Sequence, residues 1–200
     1  MTKLIGITGG IGSGKSTVAQ YIQGKGFPIY NSDYWAKELV NIDQNLKLKI
    51  TQLLGENAYH NQKYNRKWVA DKVFKNHDLL QQLNQIIHPA VAKHFHNWVS
   101  QQNSSFIFKE TALLFELGLH KNCYKTILVT ADEEIRIHRV MQRDHKTHEE
   151  VTEILLKQMP ENKKREFADF VIFNNDTIAD CLQKTDEVLE KLIQLDNNIL

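Results

Sequence analysis

The stretch Lys3-Leu4-Ile5-Gly6-Ile7-Thr8-Gly9-Gly10-Ile11-Gly12-Ser13-Gly14-Lys15-Ser16-Thr17 decides the fold. It opens as a short apolar run that stops at glycines, the pattern of a strand buried in a parallel sheet. Residues 9–16 then match G-x-x-x-x-G-K-[ST]. Each position in that pattern has a chemical reason. Glycines let successive backbone N–H groups turn inward toward phosphate oxygens. A helix opening at Lys15 aims its positive end at the same anion. Lys15 can reach the β and γ phosphates of ATP, and the Ser16 hydroxyl can ligate Mg²⁺. The motif follows a predicted strand and opens a predicted helix, which is the context it requires.

Working outward, a helix is predicted over Lys15–Gln23, a strand over Phe27–Tyr30, and a second helix over Ser32–Val40 with Ser32 as its N-cap. Strand, helix, strand, helix in this order argues for right-handed βαβ units on a parallel sheet. Residues 41–103 carry polar helical segments and no convincing strand. Strands return at Ser105–Glu110, Lys125–Thr130 and Phe170–Phe173, and a last helix is predicted over about 177–195. A further charged helical stretch covers 132–166. The expected fold is α/β: a three-layer P-loop NTPase domain over residues 1–200. Its parallel core takes in 1–40, 104–131 and 167–200, with a helical insertion at 41–103 and a helical lid at 132–166.

A chain of 200 residues with 42% hydrophobic and 24% charged residues is an ordinary globular composition. The net charge of +1 gives no general attraction to nucleic acid or to an anionic membrane, so any cationic site must be local. Cys123 and Cys181 show no metal-binding spacing and read as reduced thiols of a cytoplasmic protein. The first residues run directly into a strand, with no signal-peptide pattern. No apolar run approaches the roughly 20 residues of a membrane span. Oligomeric state is not written in the sequence, and a monomer suffices for this reading.

A phosphate loop alone leaves three readings: a small-molecule kinase, a GTPase switch, or a binding module. A guanine-specific Asn-Lys-x-Asp is missing, because the only Asn-Lys pair continues as Lys164-Arg165. Asp33 follows the second strand, at the sheet edge where ligands of open α/β sheets bind. A carboxylate there can accept a proton or help hold Mg²⁺, and the same residue type also caps helices. Glu110 ends a strand at the same edge and can serve the metal. Arg139 and Arg143, four residues apart and joined by Arg136, share a helix face. That face can neutralise transferring phosphoryl charge or simply pair with Glu133 and Glu134. His88-Pro89 ends a polar helical segment, and His94 and His96 make a poor metal pair.

These pieces fall in one order: GGIGSGKST, Asp33, Asn65-Arg66, His88-Pro89, Leu113-Leu114-Phe115-Glu116, Arg139 to Arg143-Asp144, Gln158, Lys163, Ala168-Asp169 and Asn174. The chain resembles the dephospho-coenzyme A kinases over nearly its whole length. The resemblance implies an ATP-dependent kinase that phosphorylates the ribose 3′-hydroxyl of dephospho-CoA, with Mg²⁺. It implies nucleotide contacts from Gly10, Gly12, Ser13, Gly14, Lys15, Ser16, Thr17, Arg139 and Arg143, with metal contacts from Ser16 and Glu110. Catalysis falls to Asp33 as base, with Lys15 and Arg139. Acceptor contacts fall to Asp33, Arg66, His88, Leu113, Leu114, Phe115 and Glu116. The chain departs from the family pattern at Asn31, commonly Asp, and at Ala112, commonly Pro.

Overall fold

The computed structural model describes residues 2–74 and 76–197. The expected domain ends at residues 1 and 198–200 lie outside them. By its internal contacts the chain divides into two units, residues 1–30 with 103–200, and residues 31–102.

The first unit holds a sheet of five strands: β1 (Lys3–Thr8), β2 (Ile29–Asn31), β5 (Phe106–Glu110), β6 (Lys125–Thr130) and β7 (Phe170–Phe173). The strand order is β2-β5-β1-β6-β7. β1 runs parallel to β5 on one side and to β6 on the other, and β6 runs parallel to β7. β1, β6 and β7 have the predicted bounds. Side chains alternate across a strand, so Ile5, Ile7, Phe106, Phe108, Ile127, Val129 and Ile172 share one face. That face is covered by α1 (Lys15–Gly24) through Val18, Ala19 and Ile22, and by α9 (Ile178–Asn197) through Val188, Leu189 and Leu192. On the other face lie the segment after β5 and α8 (Glu161–Phe167), which makes three layers. Between β6 and α8 the chain forms α6 (Glu133–Asp144) and α7 (His148–Leu156). Thr147 and Glu150 close a capping box at the start of α7.

The second strand starts later than expected. Pro28 has no N–H to donate, and Phe27 donates its own to Ile22 O at the end of α1. Pro28 still accepts from Phe108 N at 2.9 Å, so the strand is led in by a carbonyl alone.

The second unit is built from α2 (Ser32–Ile42), α3 (Gln44–Leu54), α4 (Arg66–Phe74) and α5 (His77–Val99). Its buried residues include Leu39, Leu46, Ile50, Val69, Leu83, Val91 and Phe95. Three expectations are corrected here. The N-cap of α2 is Asn31, whose Oδ1 accepts from Tyr34 N at 2.7 Å, and Ser32 is the first helical residue. Residues 41–103 do contain strands, a short antiparallel pair of β3 (Tyr59–His60) and β4 (Lys63–Tyr64). Its turn places Asn61 and Gln62 at φ 47° and 66°. Asn favours that conformation, but Gln is not a turn former, so the hairpin signal is half-written. His88-Pro89 does not end a helix either, because α5 runs through Pro89. Leu83, Val91 and Phe95 are buried on both sides of the proline and hold the helix across the lost hydrogen bond.

Among the described residues no helix is long and apolar enough to cross a membrane. Ile127, on β6, is fully buried in the core cluster that includes residues of α1 and α9. Ile127→Ala should lower unfolding free energy by about 2–5 kcal/mol, read as a reduced urea midpoint with an unchanged slope.

Candidate active site

The phosphate loop occupies residues 9–14, between the end of β1 and the start of α1. Gly12 and Gly14 have φ of 78° and 90°, where side-chain-bearing residues are strained. Space forbids a side chain as well. A Cβ on Gly12 would stand 2.4 Å from Arg136 O, and one on Gly14 would stand 2.2 Å from Asn174 Nδ2. Gly14 is the N-cap of α1 and offers no side-chain acceptor to the first turn. The loop is held from outside by two amide side chains. Asn174 Nδ2 donates to Ser13 O at 2.9 Å, and Gln158 Oε1 accepts from Ile11 N at 3.0 Å. Ser13 N donates to Gly10 O at 3.2 Å. Among the described residues, the N–H groups of Gly12, Gly14, Lys15 and Ser16 meet no protein acceptor. They are the donors left for an anion.

A cavity of about 150 Å³ opens over this loop, lined by Gly12, Gly14, Lys15, Ser16, Arg139 and Arg143 among others. Three cationic side chains and no carboxylate face it. Arg139 and Arg143 reach it because they lie one turn apart on α6, as predicted. Arg136 does not join them. It is buried beside the loop, 3.5 Å from Glu161 and 3.8 Å from Glu133. Arg143 is mostly exposed and makes a two-pronged bond to Asp144, at 2.7 Å for each prong.

Glu110 is placed by the sheet. The parallel register sets it opposite Ile7, one residue from the end of β1. Its Oε1 accepts from Ser16 Oγ at 2.6 Å. This is an all-oxygen pair with one carboxylate, the donor set that suits Mg²⁺, which takes its remaining ligands from water and phosphate.

Within the second unit, Asp33 lies in the first turn of α2. It lines a cavity of about 610 Å³ with Lys37, Asn41, Tyr64, Arg66 and Ile87. Asp33 and Lys37 are four residues apart on α2. Asn41 Oδ1 accepts from Tyr64 N at 2.8 Å and ties the hairpin to the same helix. The separately predicted Asp33 and Arg66 therefore share one cavity. His88 is its neighbour in sequence only, since Ile87 takes the lining position. Burial lowers the pKa of His88 below its ordinary 6.5, which keeps the ring neutral at pH 7.

Residues 113–116 are divided by burial. Leu114 and Phe115 are buried, with Phe115 packed edge-on to His120 and against Phe167. Leu113 is exposed. Glu116 turns inward, accepting from Met159 N at 3.2 Å and lying 3.5 Å from the Lys164 ammonium. Lys37 and Tyr64 were not singled out from sequence. The spacing of Lys37 from Asp33 carried a signal, and the place of Tyr64 depends on the unforeseen hairpin.

Residues 3–180 match the family model described as dephospho-CoA kinase. A dephospho-CoA kinase of Chlorobium chlorochromatii is 38% identical over 199 residues, spanning 96% of this chain and 94% of its own. A crystal structure from Thermus thermophilus is 33% identical with a TM-score of 0.86, covering 96% of this chain and 98% of that one. The structure of dephospho-CoA kinase from Campylobacter jejuni is 27% identical with a TM-score of 0.72, covering 98% and 100%.

Gly12→Ala should abolish measurable ATP binding by calorimetry while the circular dichroism of the fold persists, because the added methyl meets backbone and not a movable side chain. Unchanged affinity would mean that the loop does not hold the phosphates.

Proposed function

The chain belongs to the dephospho-CoA kinase family of ATP-dependent phosphotransferases, and from that premise we propose the following reaction. It transfers the γ-phosphoryl group of ATP to the ribose 3′-hydroxyl of dephospho-CoA, giving CoA and ADP, the last step of coenzyme A biosynthesis. One observation carries the residue assignments: the unengaged amides of Gly12, Gly14, Lys15 and Ser16 border a cavity that is also lined by Arg139 and Arg143. Such a site stabilises charge that spreads over the transferring phosphoryl oxygens.

In this reading Gly10, Gly12, Ser13, Gly14 and Thr17 shape or extend the cradle. Lys15 binds the β and γ phosphates, and Arg139 neutralises the group in flight with Arg143 beside it. Ser16 and Glu110 would hold Mg²⁺, whose chemistry when bound is to neutralise the phosphate oxygens. Asp33 accepts the proton of the 3′-hydroxyl as its oxygen bonds to the γ-phosphorus. The bond from that phosphorus to the β-phosphate oxygen breaks, and ADP leaves with the electron pair. Arg66 and Lys37, on the cavity that Asp33 lines, are suited to the acceptor's phosphates by charge. The setting is cytoplasmic, where ATP is the phosphoryl donor.

Dephospho-CoA, a nucleoside monophosphate and shikimate, offered side by side in an ADP-release assay, should give turnover with dephospho-CoA alone. Phosphorylation of another acceptor in its place would overturn the substrate assignment. Asp33→Ala should retain ATP affinity and lose turnover by about 10²-fold or more. Lys15→Ala should weaken both. Full turnover in the Asp33 variant would remove the carboxylate from the chemistry.

A further inference from the structure

Four charged side chains are packed together behind the phosphate loop. Lys164 is fully buried, and its ammonium lies 3.5 Å from Glu116 and 3.6 Å from Glu161. Arg136, 4% exposed, lies 3.5 Å from the same Glu161. Glu161 also accepts from Thr130 Oγ1, at the end of β6, at 2.6 Å. Two cations and two anions balance, but burying them is costly, and apolar residues of similar volume would fill the space at less expense in desolvation. An arrangement of this kind calls for a role beyond stability.

The geometry points to Gln158 as a positioning residue for the phosphate loop, with the buried Arg136–Glu161–Lys164–Glu116 cluster as the device that sets it. Gln158 stands in the turn between α7 and α8. That turn is pinned on both sides: Met159 N donates to Glu116, and Glu161 is gripped by Thr130, Arg136 and Lys164. From the pinned turn, Gln158 Oε1 takes the N–H of Ile11. The Ile11 amide is thereby drawn away from the cradle and the loop's path is set, while the N–H groups of Gly12, Gly14, Lys15 and Ser16 remain for phosphate. Gln158 touches the loop's outer side through Ile11, so it acts on the chemistry through backbone geometry. Small misplacements of groups that stabilise a transition state cost rate more than they cost ground-state binding.

The inference rests on the phosphotransfer reading for its activity assay. Gln158→Met keeps the length of the side chain and removes the acceptor. It should lower kcat with dephospho-CoA by about tenfold or more. The calorimetric Kd for ATP should move less than threefold, and Tm should stay within about 2 °C of wild type. Thr130→Val keeps the shape of Thr130, removes the hydroxyl that holds Glu161, and loosens the turn. In that background Gln158→Met should cost little more. A wild-type kcat in Gln158→Met, or a loss of activity that tracks a fall in Tm, would overturn the positioning role. Full additivity of the two substitutions would overturn the part assigned to the cluster. An inactive wild-type enzyme would sink the substrate assignment instead, and the Kd and Tm readings would stand apart from it.

Discussion

The structure turns on an unsatisfied helix end. The first turn of any α-helix leaves N–H groups without partners, and a side chain at the N-cap normally takes one of them. Here the N-cap is Gly14, which has no side chain, and the turn that precedes it supplies no substitute. The donors of Gly12, Gly14, Lys15 and Ser16 are left without a protein acceptor, and these four residues line one cavity. The cost of those open donors is removed when an anion binds, and that converts a defect of the free protein into a phosphate site. The surroundings follow from it. The glycines are there because the path needs positive φ and close approach to Arg136 and Asn174. Asn174 and Gln158 bond to groups that do not face the anion, so the loop is braced without spending its free donors.

The sheet supplies what the loop cannot. Parallel strands bring their carboxyl ends to one edge, and the pairing of Ile7 with Glu110 puts a carboxylate beside the first turn of α1. A one-residue slip would turn the Glu110 side chain to the opposite face and break its bond to Ser16. The register is therefore part of the site. It is held by the same alternation that buries Phe106 and Phe108 with Ile5 and Ile7, so core packing and the placement of the Glu110 carboxylate beside Ser16 are one constraint.

Much of this was legible because buried parallel strands are continuous apolar runs. β1, β6 and β7 could be bounded to the residue for that reason, and the phosphate loop could be read from spacing. The misses share a cause: local signals lost to tertiary ones. Pro28 shortened a strand whose composition looked longer. The hairpin at Asn61-Gln62 had half of its turn chemistry. Pro89 sat inside α5 because packing outweighed one lost bond. Among the candidate site residues, Lys15 and Ser16 could be proposed from the loop motif, and Asp33 and Glu110 from their positions at strand ends. The role of Gln158 toward Ile11 could not, since the two are 147 residues apart and a neutral amide carries no local sign of its partner. The partner of Glu116 was hidden for a related reason, since Lys164 is 48 residues away in sequence and fully buried.

The distribution of partners also explains which cations can serve phosphate. Arg136, Arg139 and Arg143 are on one helix at spacings that sequence alone treats as equivalent. Arg136 is buried and paired with Glu161, so swinging it toward a nucleotide would take one of two cations from a carboxylate in a poorly solvated place. Arg143 is bonded to Asp144 at the surface, where water and salt weaken the pair and exchange for a doubly charged phosphate costs little. Arg139 lines the cavity and, among the described residues, forms no ion pair with a carboxylate. The helix thus divides its charge by burial. Arg136 is held inside the framework, Arg139 lines the cavity, and Arg143 stands in a weak surface pair.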